Sequence, residues 1–381
     1  MKLYTLSTGD VAYRFYKSIL ILFNRPRKVL STSVLNGGYR TDLAAVFNHD
    51  CNPGAGMACT MKAPDYEGHL RIVSAELGVD PAKATGMATA ASMDNVAIAE
   101  ERFGQLTVTA LVTGGVEVNG GRAGDPAEYY QPIEKAVLDQ PGTINILLYI
   151  DADLTPGALT QALVDCTEAK AAALQELMVG SNYSSGLATG SGTDSTIIVA
   201  NPVAAMVVEK AGNQSQLGEL IGRAVTRAVK EALFRQSGLS PERQYSVLKR
   251  LKRYGVNEEE LWLQYRAGSE SPVAKALFMD ELYQLDKQSG FVIYTSLYVH
   301  LLDQLDWGLL GPREVQPAAV QLLELAARLS EAPACPPVRP ALPGLIAAWR
   351  NMLVQALDGR LQAGSDEGLP QYAAGLNMQQ G

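Results

Sequence analysis

The sequence predicts a layered α/β core, with a mixed sheet and packed helices, followed by an all-α C-terminal extension. Three observations carry this. Up to about residue 238, short β-branched runs alternate with two long amphipathic helical patterns. Beyond it the β-branched runs stop, and Pro and turn signals separate helical segments. Of 381 residues, 47% are apolar and 19% charged, enough for a large core at a length of two or three ordinary domains.

In chain order, Val11–Phe23 and Lys28–Leu35 predict a hairpin turned at Asn24–Arg27, and Asn36-Gly37-Gly38 ends its second strand. A loop rich in Asn, Cys and Gly runs from His49 to Asp65. Tyr66–Leu77 has helical spacing at Leu70, Val73 and Leu77. Met93–Ala99, Gln105–Thr113, Gly142–Ile150 and Thr193–Ala200 predict strands, and Thr155–Val179 and Ser215–Phe234 predict strong helices. After Ser240 the helical segments are Glu242–Tyr254, Glu258–Tyr265, Pro272–Leu285 and Pro317–Leu329, the last opened by a proline that suits the first helical position. Ala332–Pro343 reads as a stiff linker, Leu345–Leu361 as a further amphipathic helix, and the polar tail from Gln362 as disordered. The divisions are a core at 1–238, a helical accessory region at 239–331, and a linker, helix and tail at 332–381.

Composition excludes several function classes. A net charge of −8 argues against a nucleic-acid surface, which needs clustered Lys and Arg. Three His are too few for a His-rich metal site or a multi-His relay. Cys51, Cys59, Cys166 and Cys335 include no CxxC, so neither a zinc knuckle nor a secreted disulfide scaffold fits, and all four read as thiols of a reducing compartment. The apolar run Ser18–Phe23 is too short for a signal peptide, and no stretch of 18 or more apolar residues exists to span a membrane. A cytoplasmic protein is expected, with no metal and no cofactor; a homo-oligomer is allowed.

An internal echo stands at an offset of 100. Gly86, Ala88, Thr89, Asp94 and Ile98 recur as Gly186, Ala188, Thr189, Asp194 and Ile198. It predicts a duplicated helix–loop–strand unit, with Asp94 and Asp194 in equivalent positions.

No GxSxG elbow and no Walker A motif occur. Gly190-Ser191-Gly192-Thr193 follows a helix and precedes a strand, the reverse of a phosphate loop, and reads as a tight connection requiring positive φ. Lys170 is more informative. Leu159, Leu163, Cys166, Ala173, Leu174 and Leu177 form one helical stripe, and Lys170 falls in its middle. A lysine there must snorkel, pair with a carboxylate or work. Glu168 lies roughly 160° away around the helix and reads as solvated unless that face packs too. Asn119-Gly120-Gly121-Arg122-Ala123-Gly124-Asp125-Pro126 reads as a structured turn that Arg122 and Asp125 could bridge.

Several of these segments together resemble one family. Ser31–Gly38 (STSVLNGG), Val112–Pro126 (VTGGVEVNGGRAGDP), Gly142–Ile146 (GTINI), Cys166–Lys170 (CTEAK), Ala188–Asp194 (ATGSGTD) and Leu217–Gly222 (LGELIG) are similar, in order and spacing, to the adenosylcobinamide amidohydrolases. The likeness covers roughly residues 5–238. It implies a corrinoid-salvage hydrolase that cleaves the amide joining aminopropanol to the corrin ring and releases adenosylcobyric acid. It implies substrate contacts at Asn36, Gly37, Gly38, Asn119, Arg122, Asp125, Thr143, Asn145, Gly190, Gly192, Gln214 and Glu219. One departure stands out: the family pattern carries a His shortly before LGELIG, where this chain has Gln214. If that His is a general base, the chain lacks it, and a corrinoid-binding or carrier protein is the alternative.

Amide hydrolysis needs an activated nucleophile, oxyanion stabilisation and a proton for the leaving amine. Asp94 or Asp194 could orient or deprotonate a water. Lys170 could stabilise charge or protonate the amine, with Glu168 of the same motif as a further candidate. Amides near Gly190 and Gly192 could bind the oxyanion, and Thr189 or Thr193 could attack in place of water.

Overall fold

The structure is a computed structural model that describes residues 1–54, 59–127, 143–269, 271–329 and 338–366. The chain separates into two compact units, Met1–Arg243 and Gln244–Gly381.

The first unit begins with six strands: β1 (Lys2–Thr5), β2 (Val11–Phe15), β3 (Ser18–Leu22), β4 (Lys28–Ser31), β5 (Gly38–Arg40) and β6 (Ala45–Asp50). Helix α1 (Tyr66–Glu76) leads to β7 (Ala84–Thr89), β8 (Ala97–Phe103), β9 (Leu106–Gly114) and the two-residue β10 (Gly120–Gly121). Then come β11 (Ile144–Ile150), β12 (Asp153–Leu154), α2 (Pro156–Glu176), β13 (Gly190–Ser191), β14 (Ser195–Ala200), β15 (Val207–Val208) and α3 (Gln216–Ser237).

Two sheets stack. One has the order β1-β2-β3-β6-β7, the other β5-β4-β14-β11-β9-β8. Each holds one parallel pair, β6–β7 and β11–β14, and each pair is joined through a helix, α1 or α2. Ile19, Ile21, Val46 and Met87 of the first sheet meet Val29, Leu111, Leu147, Tyr149 and Ile197 of the second. Val108, Ala110, Ile146, Leu148 and Ile198 on the second sheet's other face pack against Leu159, Cys166, Leu174, Ile221 and Val225 of α2 and α3. Leu70 and Val73 of α1 cover the first sheet at Ala45 and Phe47. The result is four layers: α1, sheet, sheet, and α2 with α3. Because β11 is buried on both faces, it reads in sequence as an unbroken apolar run.

The layered α/β core and the helical extension are as expected; several details are not. The hairpin lies within Val11–Phe23, with β2 and β3 paired directly and Tyr16 at φ 50 in the turn. β4 leaves for the other sheet and pairs β14. Residues Met93–Asn95 form a 3₁₀ turn, so the strand begins at Ala97. The echo does not make a structural duplicate. Ala84–Thr89 is a strand of the first sheet, whereas the matching segment before Gly190 is a loop closed by a single bridge. The strands that follow, β8 and β14, take different places in the second sheet. Pairing partners decide this, and they lie far away in sequence.

Cys51 and Cys59 are bonded as a disulfide, which overturns their reading as thiols, while Cys166 is free and buried. Cys335 and Gly142 lie outside the described residues, as do residues 330–331 of the accessory region, 332–337 of the linker and 367–381 of the tail.

Past α3, the predicted helix Glu242–Tyr254 is broken into α4 (Pro241–Gln244), α5 (Val247–Leu251) and a 3₁₀ turn. Buried Asp286 explains the break by accepting from Ser246 Oγ and Leu248 N, both at 2.7 Å. Then follow α6 (Glu258–Gly268), α7 (Lys275–Asp286), α8 (Ser289–Asp306), α9 (Pro312–Arg328) and α10 (Leu342–Asp366). Sequence reading missed α8. Helix α9 opens at Pro312, where Gly311 N donates to Glu314 at 2.6 Å, and Pro317 lies inside it. Helix α10 is no separate module: Leu345, Trp349, Leu353 and Leu357 share one core with Phe278, Phe291 and Tyr298. No described helix is long and apolar enough to cross a membrane.

Candidate active site

The site is assembled where two glycine-rich segments meet. β10 pairs antiparallel with β13, setting Gly120 opposite Ser191 and Gly121 opposite Gly190. Thr189 N and Asn182 N donate to the carbonyls of Gly121 and Gly120, both at 2.9 Å. This joins the segments around Asn119–Asp125 and Ala188–Asp194 at the start of β11 and β14.

Lys170 and Asp194 form an ion pair there, each side chain 12% exposed. Asp194 Oδ1 also accepts from Ile144 N at 2.8 Å and Ser191 Oγ at 2.7 Å, and Oδ2 from Ser191 N at 3.0 Å. Four donors thus occupy both oxygens. So bound, Asp194 orients the Lys170 ammonium and is poorly placed to act as a free base.

Gly190 leaves the ion pair its space. A Cβ there would stand 2.3 Å from Asp194 Oδ2 and 2.8 Å from Lys170 Nζ. The need is steric: neither Gly190 nor Gly192 has positive φ, contrary to the sequence expectation, and a Cβ on Gly192 would meet nothing within 4 Å. The Thr143 and Thr193 hydroxyls hydrogen-bond one another beside Asp194. Thr189 faces the other segment, its Oγ1 accepting from Ala123 N at 2.9 Å.

Asp125 locks the loop pair. It accepts from Arg122 N at 2.7 Å and Ser181 Oγ at 2.6 Å. Partial burial pushes its carboxyl up, but hydrogen bonds from Ser181, Ser184 and Arg122 together hold it below the usual range. Arg122 is linked to Asp125 within the turn through its backbone amide and through its charge, and its side chain lies over Gly186, where a Cβ would be 2.5 Å from its Cδ.

Beneath the same edge, between the sheets, is a polar cluster. Asn145 Nδ2 donates to Asn48 Oδ1 at 2.8 Å and Ala88 O at 3.2 Å, and Asn48 Nδ2 to Thr113 Oγ1 at 2.8 Å. Asn145 is fully buried, and its Oδ1 has no partner among the described residues.

The remaining predicted residues lie elsewhere. Asp94 is 70% exposed and pairs with Arg14. Glu168, on the opposite face of α2 from Lys170, accepts from Asn213 Nδ2 at 2.6 Å. Gln214 is exposed on that loop, and Glu219 pairs with Arg223. Asn36 clamps the carbonyls of Pro81 and Ala84, both at 2.7 Å, a Cβ on Gly37 would collide with Ser33 O, and Gly38 opens β5; no hydrogen bond joins these three to the Lys170–Asp194 pair among the described contacts. Buried Asn119 precedes β10. A groove of about 560 Å³ along α3, floored by Ile98, Leu177 and Phe234, contains none of the predicted residues. Sequence reasoning missed Ser191, Asn48 and Thr113; only the Ser-x-x-Asp spacing of Ser191 and Asp194 was visible as a turn signal.

Fold and site together define an α/β protein of two stacked sheets between helical layers, with a carboxylate-oriented lysine under a glycine-rich loop pair. A family model described as adenosylcobinamide amidohydrolase matches residues 3–241, and the chain belongs to that family. The uncharacterized protein MJ1613 of Methanocaldococcus jannaschii is 34% identical over 231 residues, covering 58% of this chain and 87% of its own. An adenosylcobinamide amidohydrolase of Methanosarcina mazei is 28% identical over 207 residues, covering 52% and 86%. The crystal structure of the PH0078 protein from Pyrococcus horikoshii OT3 aligns with a TM-score of 0.30 at 13% identity, covering 56% of this chain and 76% of that one.

Proposed function

We propose that the first unit hydrolyses the aminopropanol amide of adenosylcobinamide and releases adenosylcobyric acid. Family membership supports the reaction class, and the oriented Lys170–Asp194 pair beneath Gly190 carries the reading. Attack on the amide carbonyl places negative charge on its oxygen, and a fixed ammonium stabilises that charge without reorganising. Collapse of the tetrahedral intermediate expels an amine, to which the same ammonium can donate a proton. The nucleophile is a water or the Thr193 hydroxyl, which Thr143 orients. The amides of the glycine-rich loop pair supply polar contacts for a large ligand entering the edge. The reading includes a cytoplasmic location and no metal or cofactor, with the corrinoid as substrate.

The replacement of the family His by Gln214 is compatible with this. Position 214 is exposed on the loop beside Glu168, on the far side of α2 from Lys170, so a His there would not touch the pair. Incubating the purified protein with adenosylcobinamide should yield adenosylcobyric acid and aminopropanol in equal amounts. Tight binding with no product would favour a carrier instead. Trapping with hydroxylamine separates the two nucleophiles, since only an acyl-Thr193 ester gives a hydroxamate.

A further inference from the structure

We propose that Cys51 and Cys59 are a reversible thiol/disulfide switch that sets the hydrogen-bonding state of the buried His69 imidazole. The inference is independent of the hydrolase reading.

The two sulfurs differ in access. Cys51 is buried at the end of β6, whereas Cys59 is half-buried and within reach of a thiol. Exchange proceeds by attack of a thiolate on one sulfur, and the accessible one is Cys59. Cys51 then has a place prepared for its reduced form: its Sγ lies 3.2 Å from Thr89 O, a thiol donor's distance. Its backbone is held independently, Cys51 N donating to Thr89 O and Thr60 N to Cys51 O, both at 2.9 Å. Reduction therefore leaves Cys51 where it is and frees the side chain of Cys59 from its tether.

What that tether holds is a histidine. Three residues after Cys59, Lys62 N donates to His69 Nδ1 at 3.1 Å. A backbone amide can only donate, so Nδ1 presents its lone pair and the neutral ring carries its proton on Nε2. His69 is fully buried, and its Nε2 has no partner among the described residues. Its ring lies 5.7 Å from that of His49 and stacks on Tyr66 at 6.5 Å. His49 Nδ1 is 2.8 Å from Ser18 Oγ. The tautomer of His69 is thus imposed by a short segment whose covalent anchor is the disulfide. Without the covalent anchor, only the Thr60 N–Cys51 O hydrogen bond and the exposed Lys62–Glu76 pair hold this segment among the described contacts, so the Lys62 amide is less firmly fixed on Nδ1 and the ring can place its proton on either nitrogen.

The chemistry balances with a dithiol as reductant. One thiolate attacks Cys59 Sγ, the S–S bond breaks, and Cys51 leaves as a thiolate that takes up a proton. The second thiol of the reductant displaces Cys59, giving two cysteine thiols and the cyclic disulfide of the reductant; the oxidised dithiol reverses both steps. The bonded pair and the thiols expected from the sequence are then two states of one device.

The test uses the full chain, labelled with ¹⁵N at its three His and equilibrated in oxidised or reduced dithiothreitol. Alkylation followed by peptide mapping should modify Cys51 and Cys59 together only after reduction. The imidazole ¹⁵N shifts of His69 should move on reduction, with the Nδ1 and Nε2 values drawing together, while those of His300 stay fixed. Cys59→Ser should give the reduced spectrum in both buffers, and Cys51→Ala, read in parallel, should do the same. Equal alkylation in both buffers overturns the proposal, as does a His69 spectrum that ignores the redox state.

Discussion

Among the described residues of the first unit, the two ion pairs most withdrawn from solvent are built differently. Arg27 and Asp10 are 1% and 0% exposed. Asp10 accepts from Arg27 Nε, Asn24 N, Tyr149 OH and Thr8 Oγ1, and the guanidinium also donates to Asn201, Asn24 and Pro26. That network closes on itself between the sheets, and burial beside Asp10 drives the Tyr149 phenol well above its usual range. Lys170 and Asp194 keep 12% exposure each, and the main chain of Gly190 lies against them with no side chain between. Saturation on every side marks a pair that holds layers together. An oriented charge with one thin wall marks a pair that can meet a ligand.

The largest expected effect tests the closed pair. Asp10→Ala leaves a buried guanidinium without its carboxylate and should cost about 3–5 kcal/mol in urea unfolding, with turnover per folded molecule unchanged. Acid probes the interior next. Burial lowers the His49 pKa to about 4, and burial lowers that of His69 too. Both rings are buried neutral, so the stability they confer is complete above the ordinary histidine value of 6.5. It is lost as pH falls from there toward about 4, on the order of 3 kcal/mol for His49; a urea midpoint flat across that range would contradict it. Lys170→Met should reduce turnover about 100-fold while shifting unfolding by only ~1 kcal/mol. Full activity in that variant would make the two pairs alike, both structural. Gly190→Ala forces a Cβ between Lys170 and Asp194 and should lower turnover about tenfold, through kcat more than KM. Smallest of all, Asp94→Asn should stay within about twofold of the parent rate, because an exposed pair with Arg14 is worth little; a large loss would restore its equivalence with Asp194.

How far the site was legible depended on whether its partners were local. The lysine in the apolar stripe of α2 was visible because helical geometry alone puts Lys170 among Cys166, Ala173 and Leu174. Its partner was visible only as one of two echoed aspartates. Sequence could not separate Asp194 from Asp94, since the difference lies in what β14 and β8 pair with. Asn48 and Thr113 carried no signal: each looks like a polar residue at a strand end until the sheets stack and bring them to Asn145. Glu168 stood in the same motif as Lys170, yet the helical turn sends it to the opposite face.

The sequence by itself determined the layered α/β class, the helices α1, α2 and α3, the strand segments around β9, β11 and β14, and the likeness to the amidohydrolase family. These follow from periodicity, caps and short motifs, which are properties of neighbouring residues. Only the tertiary structure decided that β4 crosses to a second sheet, that α8 exists and α10 shares its core, that Cys51 meets Cys59, and that Gly190 is glycine because Lys170 and Asp194 lie against it. Apart from the Cys51–Cys59 bond, which closes a short loop, each of those rests on contacts between residues distant along the chain or on a steric limit set by one. Local propensity has no access to it, because the partner is chosen by packing and hydrogen-bond satisfaction across layers.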